Sequence, residues 1–127
     1  MKLFSIGVVA IILGFVAWNQ TKDKAGVPAI TSGEGVKLIS NSNYVFLDVR
    51  TQKEHNAIRI PNTDLIPVHE LASRLNEIEK YKDKTIILYC RSGNRSGKAT
   101  TLLNNAGFDA INLLGGMNQW KGPVHKK

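Results

Sequence analysis

Thiols are almost missing from this chain: among its 127 residues Cys90 is the only cysteine. One cysteine cannot close a disulfide within the chain, and it is too few for a thiolate-based zinc site. The three histidines, His55, His69 and His125, show no metal-ligand spacing, so no metal is expected. Acidic residues are scarce as well, ten Asp and Glu against seventeen Lys and Arg, which leaves a net charge of +7. Such an excess favours anionic partners: a small anion, an anionic membrane surface or nucleic acid. A nucleic-acid binder would carry a basic stripe interleaved with aromatics on one element, and none is present. The cations are scattered apart from Lys22/Lys24, Lys80/Lys82/Lys84 and Lys126/Lys127, so nucleic acid is not an expected partner. Repeats and low-complexity segments are absent too. The length leaves room for one ordinary domain, and 43% hydrophobic with 21% charged residues excludes global disorder.

Charge is also lacking from residues 3–18, LFSIGVVAIILGFVAW, which only Lys2 and the amino terminus precede. A short positive region followed by an apolar run is the layout of a secretory signal. As a helix these sixteen residues span about 24 Å, short of a ~30 Å hydrocarbon core. The run ends in Phe15, Ala17 and the bulky Trp18, an unsuitable cleavage site, and the suitable Val27-Pro28-Ala29 lies far downstream. Residues 1–20 are therefore read as a signal peptide or N-terminal membrane anchor, with retention at the membrane through residues 3–18 favoured over cleavage. On this reading the protein is exported to the periplasmic or another extracytoplasmic face. A lone thiol in an oxidising compartment has no partner in its own chain, which fits a working thiol. Residues 21–30, polar with Gly and Pro, read as a linker; 31–122 form the domain, and 123–127 a basic tail.

Within the domain, YVFLDV (44–49), TIILYC (85–90) and DAINLL (109–114) are continuous apolar runs bounded by turn residues, the pattern of buried strands. Residues 32–40 carry a short, weak helical pattern, and 51–58 a short helix closed by Pro61. Apolar residues at 68, 71, 75 and 78 predict an amphipathic helix over 68–81. A further helix is expected from Ser96 to Ala106, stopped by Gly107 in the left-handed conformation. Strands alternating with helices predict an α/β fold: a small parallel sheet with helices on both faces.

This arrangement puts Cys90 at the carboxyl end of a central strand, the edge where open α/β sheets bind ligands. The loop behind it, CRSGNRS (90–96), contains Gly93, which lets the backbone curl until successive N–H groups converge. Such a nest at a helix start stabilises an anion, so a cysteine inside it is expected to titrate low and act as a nucleophile. Arg91, Arg95 and Lys98 favour the thiolate in the same way.

The loop resembles the active-site pattern of rhodanese domains of the single-domain type: cysteine, four residues including glycine, then arginine and a small hydroxyl residue. FLDVR (46–50) is similar to that family's strand-ending Asp-Val-Arg, with Glu54 four residues further on. IPNTDLIP (60–67) is similar to its Ile-Pro…Ile-Pro passage, and LLGGMNQW (113–120) to its closing Gly-Gly…Trp motif. The chain departs from the family at Ile58, Arg59, Asn62 and Thr63, where Gly, His, Gly and Ala are common; Arg59 is read as a solvated side chain. Tyrosine phosphatases place five residues between cysteine and arginine, whereas Cys90 and Arg95 enclose four, a ring suited to a single sulfur atom.

The resemblance implies a rhodanese-like fold and a sulfurtransferase that needs no cofactor. A sulfane sulfur would pass from a small anionic donor such as thiosulfate to cyanide or a thiol through a Cys90 persulfide. Arg91, Ser92, Gly93, Asn94, Arg95 and Ser96 would bind the substrate, with Asp48, Arg50 and Lys98 in support. Arg95 would either brace the loop or attract the dianionic donor; in this family the loop arginine tends toward the first, which leaves Arg91 and Lys98 the freer candidates for steering. Asp48 and Arg50 are read as anchoring the following helix, Arg50 through Glu54. Gly115–Gly116 are read as permitting close packing beside the loop, and Trp120 as a lid on the core; no histidine is given a catalytic role. The alternatives are a non-enzymatic persulfide carrier or protein-docking module of the same fold, and, further off, a phosphatase or arsenate reductase.

Overall fold

The apolar runs form neighbouring strands of one sheet. The structure, a computed structural model, describes residues 22–127. The chain order is β1 (Ala29–Ile30), α1 (Ser32–Leu38), β2 (Tyr44–Asp48), α2 (Gln52–Ala57), β3 (Ile58–Arg59), β4 (Asp64–Leu65), two 3₁₀ helices (Val68–Ser73 and Leu75–Tyr81), β5 (Thr85–Tyr89), α3 (Asn94–Asn105), β6 (Asp109–Leu113), α4 (Gly116–Gln119) and β7 (His125–Lys126). Five strands lie in the order β1-β6-β5-β2-β4, every pair parallel. The expected signal or anchor falls outside the described residues. Among those described, no helix is long and apolar enough to cross a membrane.

Successive strand residues point to opposite faces, so a strand apolar at every position is buried on both. Leu47, Ile86, Leu88 and Ala110 face one cluster, closed by Ala99 and Leu103 of α3 and by Leu71 and Ile78 of the 3₁₀ helices. Phe46, Ile87, Tyr89, Ile111 and Leu113 face the other, covered by Leu38 of α1 and by Trp120. The Trp120 ring meets Phe46 edge-on, with centroids 5.7 Å apart, so the expected lid on the core is present.

The amphipathic α-helix expected over 68–81 is instead two 3₁₀ helices broken at Arg74, whose backbone (φ −122°, ψ 21°) is not helical. The apolar pairs 68/71 and 75/78 are each three apart, the spacing that a three-residue turn eclipses on one side. The break at Arg74 absorbs the extra residue between them. Arg74 holds the corner by bonding Glu77 through Nε and Nη2 and Glu70 through Nη1.

Both ends of the described residues contribute more than their composition suggests. The segment read as a linker supplies β1, which pairs with β6 from Ala29 onward, so the sheet starts two residues before the expected boundary at 31. Ahead of β1, Asp23 Oδ1 accepts the N–H groups of Ala25 and Val27 and forms a tight turn. In the basic tail, His125–Lys126 pairs antiparallel with Ile58–Arg59. Main-chain pairing needs no apolar side chains, so β7 leaves no hydrophobic signature, and the two buried apolar residues of β1 are too few to show one.

Candidate active site

Cys90 follows β5 directly and is fully buried. The next helix starts earlier than expected, at Asn94, because Gly93 is its N-cap in the left-handed conformation (φ 102°) that only glycine adopts without strain. Glycine has no side chain with which to cap α3. The sulfur does so instead: Cys90 Sγ accepts the N–H of Gly93 at 3.1 Å, the N–H of Ser96 at 3.4 Å, and approaches the Ser96 hydroxyl at 3.3 Å. The first-turn amides of a helix lack intrahelical acceptors, and with the helix dipole they favour negative charge at this point.

The Gly-Gly segment shapes the other side of the ring. The N–H groups of Met117 and Asn118, at the start of α4, donate to the carbonyls of Cys90 and Arg91 at 2.9 and 3.0 Å. In a trans peptide the N–H points opposite to the C=O. Pinning these two carbonyls against α4 therefore turns the amides of Arg91 and Ser92 away from it. Burial pushes the Cys90 thiol up. The Ser96 hydroxyl and the backbone amides of Ser96, Gly93 and Ser92 outweigh that, and the thiol titrates below its ordinary value.

Arg95 braces the loop. Its guanidinium forms a two-pronged pair with Glu54 of α2, Nη1 to Oε1 at 2.8 Å and Nη2 to Oε2 at 3.0 Å. Glu54 also closes a capping box with Thr51 at the start of α2. The expected Arg50–Glu54 contact is not formed. Arg50 instead clasps Asp48 through Nε and Nη2 at 2.9 and 2.8 Å and donates to the Ile58 carbonyl. Asp48, buried, also meets His55 Nδ1 at 2.9 Å. Asp48 and Arg50 thus tie the end of β2 to α2 and β3 and do not enter the ring. Arg91, Ser92, Asn94 and Lys98 lie around its mouth, all four exposed.

The Arg95 guanidinium, followed by the amide and hydroxyl of Thr51, holds Glu54 down at about 2, against an opposing push from partial burial. A carboxylate whose folded value lies below its unfolded 4.5 contributes stability above that pH and loses it as pH falls toward 2. Because the pair is partly solvated, the contribution is on the order of 1 kcal/mol. Glu54→Gln is expected to unfold with a flatter pH dependence between 4.5 and 2 than the wild type, measured by urea denaturation across that window. Equal slopes for the two proteins would refute the role of the pair.

Two contributors were not expected from the sequence. Asn112 of β6 is 1% exposed within an otherwise apolar strand, and it bonds both Ser96 and the Gly93 carbonyl. A polar residue inside a strand buried on both faces must find partners, and that was its available signal. Glu54 stood out only as a motif position. Its partner lies 41 residues away, and nothing local announces it.

The sequence matches the family described as Rhodanese-like domain over residues 31–123. A protein of Allochromatium vinosum named sulfurtransferase is 34% identical over 85 residues, which cover 66% of this chain and 78% of that one. A rhodanese-like domain protein of Staphylococcus aureus superposes with a TM-score of 0.70 at 33% identity, over 78% of this chain and 97% of the other. A structure titled thiosulfate sulfurtransferase from Pseudomonas aeruginosa superposes with a TM-score of 0.72 at 25% identity, over 81% of this chain but 21% of its own.

Proposed function

The chain belongs to the rhodanese-like family, and from that premise we propose that it transfers a sulfane sulfur from thiosulfate to cyanide or a thiol. The observation that carries this reading is the capping of Cys90 Sγ by the Gly93 and Ser96 amides, with the thiol lowered by them. The Cys90 thiolate attacks the outer sulfur of thiosulfate, the S–S bond of the donor breaks, and its electron pair leaves with sulfite. The product is a Cys90 persulfide whose terminal sulfur carries the negative charge. The converging amides support that charge as an oxyanion hole supports an oxygen. Cyanide or a thiolate then attacks the terminal sulfur and departs with it as thiocyanate or a new persulfide, which returns the Cys90 thiolate. A covalent intermediate between two half-reactions gives ping-pong kinetics. The close fit around the buried sulfur supports transfer of one atom over transfer of a phosphoryl group.

Incubating the protein with thiosulfate and weighing it intact is the test. A species about 32 Da heavier is expected, returning to the starting mass with thiocyanate release on addition of cyanide. No adduct would remove the sulfur-transfer reading altogether. An adduct that no small acceptor discharges would make the domain a persulfide carrier.

A further inference from the structure

The Ser96 hydroxyl has a single proton and two acceptors within reach. Asn112 Oδ1 lies 2.6 Å from Ser96 Oγ, and Cys90 Sγ lies 3.3 Å away. The orientation of the Asn112 amide is fixed by its other side. There Nδ2 faces the Gly93 carbonyl and Asp23 Oδ2, each at 3.1 Å, and both can only accept. Oδ1 must therefore face Ser96, and the shorter contact takes the proton. Toward the sulfur, Ser96 then presents a lone pair. A neutral S–H can donate to it, whereas a thiolate or persulfide needs the proton turned around. Ser96 keeps its place without Asn112, because it lies in the first turn of α3 and its carbonyl is held by Thr100 Oγ1 at 2.7 Å.

We propose that Asn112 is a positioning residue: it holds the Ser96 proton off the sulfur in the resting thiol and releases it when Cys90 becomes charged. In this arrangement the loop suits both states of the sulfur, as a nucleophile that is charged and discharged in every cycle requires. The inference rests on Cys90 being the reacting group, as proposed above, but its test reads the thiol itself and needs no sulfur transfer. The charged groups around the loop are Arg91, Arg95 and Lys98, Glu54 of α2, the Asp48–Arg50 pair at the end of β2, and Asp23. Only Asp23 touches Asn112. β6 brings no other charge to this end, and α4 carries none.

Asn112→Leu has the same branching and removes no charged side chain, though it takes one donor from Asp23 and one from the Gly93 carbonyl. Freed of its competitor, the Ser96 proton donates to sulfur alone, and the thiolate becomes easier to form. The fraction of thiolate, followed by its ultraviolet absorbance and by the rate of iodoacetamide alkylation on the acid side of the titration, is expected to rise at least about threefold over wild type. Ser96→Ala is expected to lower it, and adding Asn112→Leu to Ser96→Ala is expected to change nothing further. A role in merely stiffening the loop predicts the opposite, a loss of thiolate in Asn112→Leu as the amides drift away from the sulfur. That loss, or no change, would overturn the proposal. If the leucine does not fold, Asn112→Ala replaces it: a rise in thiolate supports the proposal, and a loss or no change overturns it.

Discussion

Cys90→Ser is expected to leave a folded protein that takes up no sulfur and transfers none, with kcat/KM for thiosulfate and cyanide lower by about 10⁴-fold or more. The magnitude follows from the chemistry of the site. The ring of amides lowers the thiol below its ordinary value, but an alcohol starts far above neutrality and stays protonated in the same cradle. Oxygen is also a poor nucleophile toward sulfane sulfur, so the first half-reaction has no covalent product to form. The fold should not suffer. The serine oxygen can accept from the same Gly93 and Ser96 amides, and little volume changes among the apolar neighbours of Cys90. A melting temperature within a few degrees of wild type is the expected companion result. Sulfur transfer surviving in Cys90→Ser would place the reaction elsewhere, and with it every role assigned to the loop.

The sheet was readable because burial on both faces leaves a direct mark: TIILYC and DAINLL show no polar alternation to conceal. The position of Cys90 followed from that, since a strand ending next to a glycine-bearing polar loop has few other geometries. The helix start was less legible. Ser96 is a good cap by residue type, but the cap here is Gly93 and the acceptor is the sulfur, so the helix gains Asn94 and Arg95 and brings its first amides onto Cys90. The pattern at 68, 71, 75 and 78 fits an α-helix and a pair of 3₁₀ helices equally well. Only the packing of Leu71 and Ile78 against the sheet decides between them. Contacts that join distant segments left no trace. Glu54 meets Arg95 and Asp23 meets Asn112 across 41 and 89 residues, and side chains that far apart carry no shared period. The geometry around Cys90 is therefore legible in the strand end and the glycine turn, and hidden in the braces that give the ring its shape.

Those braces make Gly116 the most sensitive position outside the cysteine. Its backbone is left-handed, with φ 50°. A Cβ added there would collide with the Cys90 carbonyl oxygen and lie 2.8 Å from the carbonyl carbon and oxygen of Arg91. All three obstacles are main-chain atoms of the loop that starts at Cys90, which cannot rotate aside as a side-chain tip would. The left-handed conformation alone costs a non-glycine residue about 1–2 kcal/mol, and the collision adds to it. Gly116→Ala is expected to be destabilised by roughly 3 kcal/mol in total. Relief comes only by separating α4 from the loop, which pulls the amides of Met117 and Asn118 off the Cys90 and Arg91 carbonyls. Those peptide planes then lose the orientation that directs the Arg91 and Ser92 amides, and a displacement of about 1 Å at a reacting centre lowers rates about a hundredfold. Activity per folded molecule should therefore fall by that factor, and the Cys90 thiol should titrate closer to its ordinary value. Gly33→Ala is the matched control. Its Cβ would meet nothing nearer than Thr31 Oγ1 at 4.0 Å, in the first turn of α1, so stability should hold or rise slightly. If Gly116→Ala melts and reacts like Gly33→Ala, the carbonyls of the loop are not oriented by α4.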